Sequence, residues 1–241
     1  MTEIFEKILL LALIPVITMI AGGIAAMYLK INPSWRSAIL HFAAGVVFSV
    51  VAVELLPDIV AKHSPIQVAI GFTLGIVFML LVKKIAEGKE EMEGEKKSFS
   101  FNMLFGIGFD IVIDGILLGI GFSAGVNEGT LLSIALAIEL LSLGMAIVVM
   151  IKEAKASKAL TLFILSTLAF LFFVAAVAGA LLLHNLPDES MEIVLSFGLS
   201  ALLFLVTEEL LTEAHEEKET VWHTASFFVG FLLFLILGMV M

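Results

Sequence analysis

The chain has 241 residues, 61% of them hydrophobic, and a formal net charge of -10 from 13 basic and 23 acidic residues. Its mean hydropathy is +1.13, whereas a soluble domain is usually about half apolar, so the composition excludes a soluble globular protein. No basic patch exists for nucleic acid, and the absence of cysteine excludes disulfides and thiolate metal sites.

A run of about 20 apolar residues is long enough to cross a bilayer as a helix. Eight such runs follow one another at 8–29, 36–59, 66–85, 101–123, 130–151, 159–183, 191–213 and 221–240. The expected fold class is therefore an all-α integral membrane protein forming one transmembrane domain. Met1 to Lys7 is not a basic leader, since it carries Glu3 and Glu6, and the first run reads as a span and not as a cleaved signal. The breaks hold turn residues or charge, as in Lys30-Ile31-Asn32-Pro33, Lys62-His63-Ser64-Pro65, Gly125-Val126-Asn127-Glu128-Gly129 and His184-Asn185-Leu186-Pro187-Asp188. The longest break, 86–100, is rich in Glu and Lys and is predicted as a solvated loop.

Lys and Arg set the expected orientation. Eleven of the thirteen fall in the first, third, fifth and seventh connections: Lys30, Arg36, Lys83, Lys84, Lys89, Lys96, Lys97, Lys152, Lys155, Lys158 and Lys218. Only Lys7 and Lys62 lie on the other side. Both termini are thus expected outside, with 86–100 in the cytoplasm, in a multi-pass protein of the cell membrane.

A shift of 155 residues lays Glu54-Leu55-Leu56-Pro57-Asp58 on Glu209-Leu210-Leu211-Thr212-Glu213, Phe72 on Phe227 and Gly75 on Gly230. Spans one to three then resemble spans six to eight in opposite orientation, a 3+2+3 arrangement with an inverted repeat. Inverted repeats mark secondary transporters, with the substrate near midplane.

The unpaired fourth and fifth spans carry the acids. Asp110 and Asp114 are four residues apart, on one helical face, and Glu139 lies equally deep in the next span. An ionised carboxylate in a span is costly unless it meets a cavity, a partner or a cation. Neither span holds Lys or Arg, so a metal cation is the simplest source of positive charge. Ser142, on the face of Glu139, and Asn102 could add oxygen ligands. Such hard ligands suit Mn2+, Mg2+, Fe2+ or Zn2+. The competing structural reading is a protonated acid hydrogen-bonded between helices. Gly115 and Gly119 form a small-xxx-small pair for close helix packing.

Glu54 and Asp58 end the second span at the outer mouth; Glu208, Glu209 and Glu213, with His215, end the seventh at the inner mouth. They read as entrance and exit acids, or, for Asp58, Glu213 and His215, as solvated helix ends. His41 reads equally as a polar packing residue. No nucleophile motif, zinc-protease motif or nucleotide-binding lysine motif occurs, so the chain is not expected to be an enzyme and transport would be gradient-driven.

At these residues the chain resembles the ZIP family of divalent-metal transporters over nearly its whole length. The resemblance is clearest in Ala43-Ala44-Gly45 through Glu54-Leu55-Leu56-Pro57-Asp58, in Asp110 to Gly119, and in Glu208-Glu209-Leu210-Leu211-Thr212-Glu213-Ala214-His215-Glu216. At the family's fourth-span motif, His-Asn-x-x-acid-Gly, Asp110 stands at the His and Ile111 at the Asn, while Asp114-Gly115 match. Its fifth-span motif, His-Glu-x-Pro-His/Glu, is met by Ile138-Glu139-Leu140-Leu141-Ser142, where only Glu139 matches. In the sixth span Ala176-Val177-Ala178-Gly179 carries no acid.

The resemblance implies eight spans, outside termini, a transport site in spans four and five, and elevator-like alternating access. With the family's Asn and sixth-span Glu missing, a single cation on Asp110, Asp114 and Glu139 is expected. The expected function is a secondary transporter moving a divalent metal of the zinc, iron or manganese class toward the cytoplasm. The metal is its substrate and no cofactor is expected. The expected partners are that metal and the lipid bilayer; a homodimer is one assembly this reading admits. The alternative is a non-transporting metal-binding sensor or scaffold.

Overall fold

The computed structural model describes residues 2–29, 32–62, 64–93, 101–153, 156–183 and 186–240. All regular structure among them is helical. Eight helices are long and apolar enough to cross a membrane: α1 Thr2–Tyr28, α2 Pro33–Ala61, α3 Pro65–Glu93, α4 Phe101–Ala124, α5 Val126–Glu153, α6 Lys158–Leu183, α7 Asp188–Ala214 and α8 Val221–Val240. A spanning chain must satisfy its backbone internally, because hydrocarbon offers no hydrogen bonds.

The surface carries the matching signature. Leu10, Ile17, Phe163, Phe170 and Leu182 are exposed, while Ser37, His41, Asp114, Glu139 and Ser142 are buried. Apolar groups face outward and polar groups inward, as in a protein compatible with lipid on its outside.

Local chemistry explains several helix features. Asn32 starts α2: its side-chain oxygen accepts from the Ser34 N–H, with Pro33 in the first turn. In α1, Pro15 lacks the N–H that would bond the carbonyl one turn back, that of Leu11. The Ser133 hydroxyl of α5 donates to that carbonyl at 2.6 Å, so a neighbouring helix repairs the gap.

Two helices each contain a widened π turn, at Val51–Leu55 in α2 and Leu205–Leu210 in α7. Pro57 follows the first; a proline lacks its N–H and crowds the carbonyl four residues back. At the matching place in α7 stands Thr212, whose hydroxyl donates to the Thr207 carbonyl at 3.4 Å. Each π turn holds an acid, Glu54 in one and Glu208 with Glu209 in the other.

The helices pack as two sets. α1 lies mainly on α5 and α4 mainly on α6, with α1–α6 and α4–α5 contacts closing the first set. α2 lies mainly on α8 and α3 mainly on α7, with the end of α7 against α2, forming the second. Close approach inside a set uses glycine. Gly119 of α4 faces the backbone of Gly179 and Ala180, and Gly45 of α2 faces the backbone of α8 at Phe227 and Phe231, so a side chain at either place would meet main chain.

Basic residues gather at one end. Lys152 donates to the Ala26 carbonyl at 2.5 Å, Lys158 stands 4.9 Å from the Tyr28 ring centre, and Arg36 pairs with Glu213. The predicted loop at 86–100 needs correction: α3 continues through Glu93, and 94–100 lie outside the described residues. Helix starts also precede the predicted ones, at Pro33, Val126 and Asp188.

Candidate functional site

Asp110 and Asp114 share one face of α4, as their spacing requires. With Ile113 and Leu117 they line a tight crevice, too narrow here to admit a water molecule, whose remaining wall is Met79 of α3 and Leu205 and Glu209 of α7. The cavity therefore lies where the two helix sets meet. Asp114 is 4% exposed, too buried for water to stabilise its charge.

Glu139 of α5 does not line this cavity wall, but it belongs to the same electrostatic group. Its charge acts on Asp114, and those of Asp110 and Glu209 act on it. Glu139 is 6% exposed, and its Oε2 has no hydrogen-bond partner. Ser142, one turn on and fully buried, also has an unpartnered hydroxyl. A buried polar atom left unpaired costs about 1–3 kcal/mol, which a cation or a proton on these oxygens would offset. The side chain of Asn102 lies outside the described residues.

Two sequence expectations change. Glu209 is not confined to the inner mouth: the π turn of α7 places it beside Asp110 and Asp114. Glu208, its neighbour in sequence, instead pairs with Lys83 at 2.6 Å, where both side chains are partly exposed. Glu209 itself has a positive neighbour, since the charge of Lys83 acts on it, whereas the charges acting on Asp114 and Glu139 are those of acids. A lysine in the second half of α3 gave no sign in sequence that it would reach α7.

Glu54 lies in the π turn of α2, apart from the cavity, with its carboxylate beside Gly238 of α8. The charges of Asp58 and Glu128 act on it, so the end of the molecule away from the basic residues carries its own acidic group.

The site is thus a carboxylate group assembled from α4, α5 and α7, inside a fold of eight membrane-compatible helices. Compared with models of known families and with curated proteins, the chain matches none.

Proposed function

We propose that the chain is a secondary transporter that carries a divalent metal cation, the substrate, through the carboxylate group of Asp110, Asp114, Glu139 and Glu209. One observation carries this reading: Asp110, Asp114 and Glu209 line a single crevice between two helix sets, with Glu139, whose buried Oε2 has no partner, in electrostatic reach. Oxygen-rich sites of this kind favour hard or borderline divalent ions of the zinc, iron or manganese class. Asp110 and Asp114 come from one helix set and Glu209 from the other, so the acids meet at the boundary between the sets.

The inverted repeat has support in the packing. The π turns of α2 and α7 occupy positions related by the same 155-residue shift that aligns Glu54 with Glu209. The pairings also correspond under exchange of α4 with α5: α1 on α5 answers α6 on α4, and α2 on α8 answers α7 on α3. In this reading the set α1, α4, α5 and α6 slides against α2, α3, α7 and α8, carrying Asp110, Asp114 and Glu139 past Glu54 and Glu209. The resemblance to the ZIP family implies the same kind of movement. The basic end, marked by Arg36, Lys83, Lys152 and Lys158, would face the cytoplasm, leaving both termini outside in the cell membrane.

A metal-binding sensor or scaffold without transport is the second reading. It is favoured by Lys83, which already brings positive charge to Glu208 and Glu209. Uptake of Zn2+, Mn2+ and Fe2+ into proteoliposomes decides between them. The transporter reading expects saturable uptake in the wild type and its loss in Asp110→Asn, Asp114→Asn and Glu139→Gln. Wild-type rates in all three variants would overturn the site assignment, and tight binding without uptake would select the sensor.

A further inference from the structure

A second group of cation-capable side chains lies at the basic end, sharing no residue with the cavity. His41 of α2 and His215 and Glu219, in the turn after α7, each present a ligand atom within 4.8 Å of the other two. Glu219 follows two other acids, Glu216 and Glu217, yet only it joins the two imidazoles.

The hydrogen bonds of His41 define its chemistry. The ring is 2% exposed, and Nδ1 lies 2.8 Å from the Ser37 carbonyl oxygen. A carbonyl only accepts, so that bond puts the proton on Nδ1 and leaves the lone pair on Nε2. Nε2 is buried and has no hydrogen-bond partner. A ring anchored through Nδ1 to a backbone carbonyl, with an open Nε2 lone pair, is the arrangement that outer-shell contacts give to metal-ligating histidines.

His215 meets His41 edge-on, with ring centres 5.1 Å apart, and its Nε2 lies 2.6 Å from Glu219 Oε1. These two side chains are 45% and 56% exposed, so they can rotate toward the fixed His41. Zinc bonds of about 2.0–2.1 Å in tetrahedral geometry set ligand atoms roughly 3.3 Å apart. Contracting from 4.8 Å needs only side-chain movement of the exposed pair. His223 stacks on His41 at 5.7 Å, but its nitrogens are engaged by Ser34 at 2.8 Å and Ser37 at 3.4 Å. It forms a wall of the site. The nearby positive charge of Arg36 is paired with Glu213 and is acted on by Glu216 and Glu217.

We propose that His41, His215 and Glu219 bind a divalent cation of borderline softness, of the Zn2+ class, with water completing the coordination. Two imidazoles and one carboxylate suit such an ion better than the all-oxygen cavity does. His41 and the end of α7 belong to the same helix set. A bound ion therefore ties α7 to α2 within that set and leaves the boundary between sets free, which makes this an accessory site separate from the transported cation.

The test uses the full chain in detergent, titrated with Zn2+ by calorimetry and with Co2+ by visible absorption. An Asp114→Asn/Glu139→Gln background isolates the second site, and the same titration in the wild type serves should that pair fail to fold. His215→Ala and Glu219→Ala, both at exposed positions, are each expected to remove one Zn2+ equivalent or weaken it by more than the roughly tenfold that loss of an outer-shell partner causes. Both are also expected to abolish the tetrahedral Co2+ bands. Glu217→Ala, in the same turn but outside the trio, is expected to keep them. Unchanged binding in His215→Ala, or equal loss in Glu217→Ala, overturns the proposal. Failure of the transport reading registers separately, as absence of uptake in the wild type.

Discussion

Asp114 and Glu209 face one cavity although they come from different helix sets, α4 in one and α7 in the other. Glu209→Gln should therefore impair metal binding as Asp114→Asn does, each weakening affinity by more than about tenfold. Calorimetric titration of the purified chain with Mn2+ and Zn2+ checks this. Full affinity in Glu209→Gln would confine the site to α4 and α5.

If the acids bind a cation as proposed, Lys83 would compete with it for the acids of α7. Replacing it with Met should strengthen divalent-metal binding at the cavity, by roughly two- to fivefold. Unit charges near 4 Å interact by about 1 kcal/mol in water, and partial exposure screens the pair further. A Kd that rises in Lys83→Met would show that the lysine supports the site and does not oppose it.

On the proposed metal-binding reading, protons and metal would compete for the same oxygens, because carboxylate ligands bind metal only when deprotonated. Lowering the pH should weaken binding, and adding metal to unbuffered protein should release protons. Titration at a series of pH values, with proton release read from the buffer dependence of the binding heat, tests both. A metal affinity flat across the carboxylate range would remove the proton from the mechanism.

The proposed sliding of one set past the other would be stopped by a bridge. The chain has no cysteine of its own, so Met79→Cys with Ile113→Cys provides a clean pair across the boundary. A short bifunctional thiol reagent should block the uptake that the double variant retains, while treatment should leave the uptake of each single variant at its own untreated level. Uptake that persists after complete cross-linking would exclude relative movement of α3 and α4.

Within a set, packing should be unforgiving. Gly119→Val drives a side chain into the backbone of Gly179 and Ala180, and overpacking of that kind costs about 1–3 kcal/mol. A lower Tm of the detergent-solubilised protein is the expected reading, with an unchanged Tm meaning that α4 and α6 can separate at no cost.

The spans were legible because apolar length alone marks a membrane helix. Their starts were less so, since Glu128, Asp188 and Glu189 lower hydropathy while fitting the first turn of a helix, where acids meet the positive end of the dipole. The Glu/Lys stretch after Lys84 read as loop, yet Glu and Lys are good helix formers and α3 runs on through Glu93. The spacing of Asp110 and Asp114 put them on one face from the outset. What sequence could not give was tertiary. No local pattern brings Lys83 to Glu208, or His41 to His215 and His223 near the far end of the chain.

Each π turn holds one surplus residue in its coil. Such a surplus can migrate along a helix by exchanging one hydrogen-bond register for the next. Because successive residues are about 100° apart around the axis, moving the surplus past Glu209 would swing its carboxylate a quarter-circle or more while the helix ends stayed in place. The same holds for Glu54 in α2. Such a shift would turn both acids about their helix axes without any helix having to tilt.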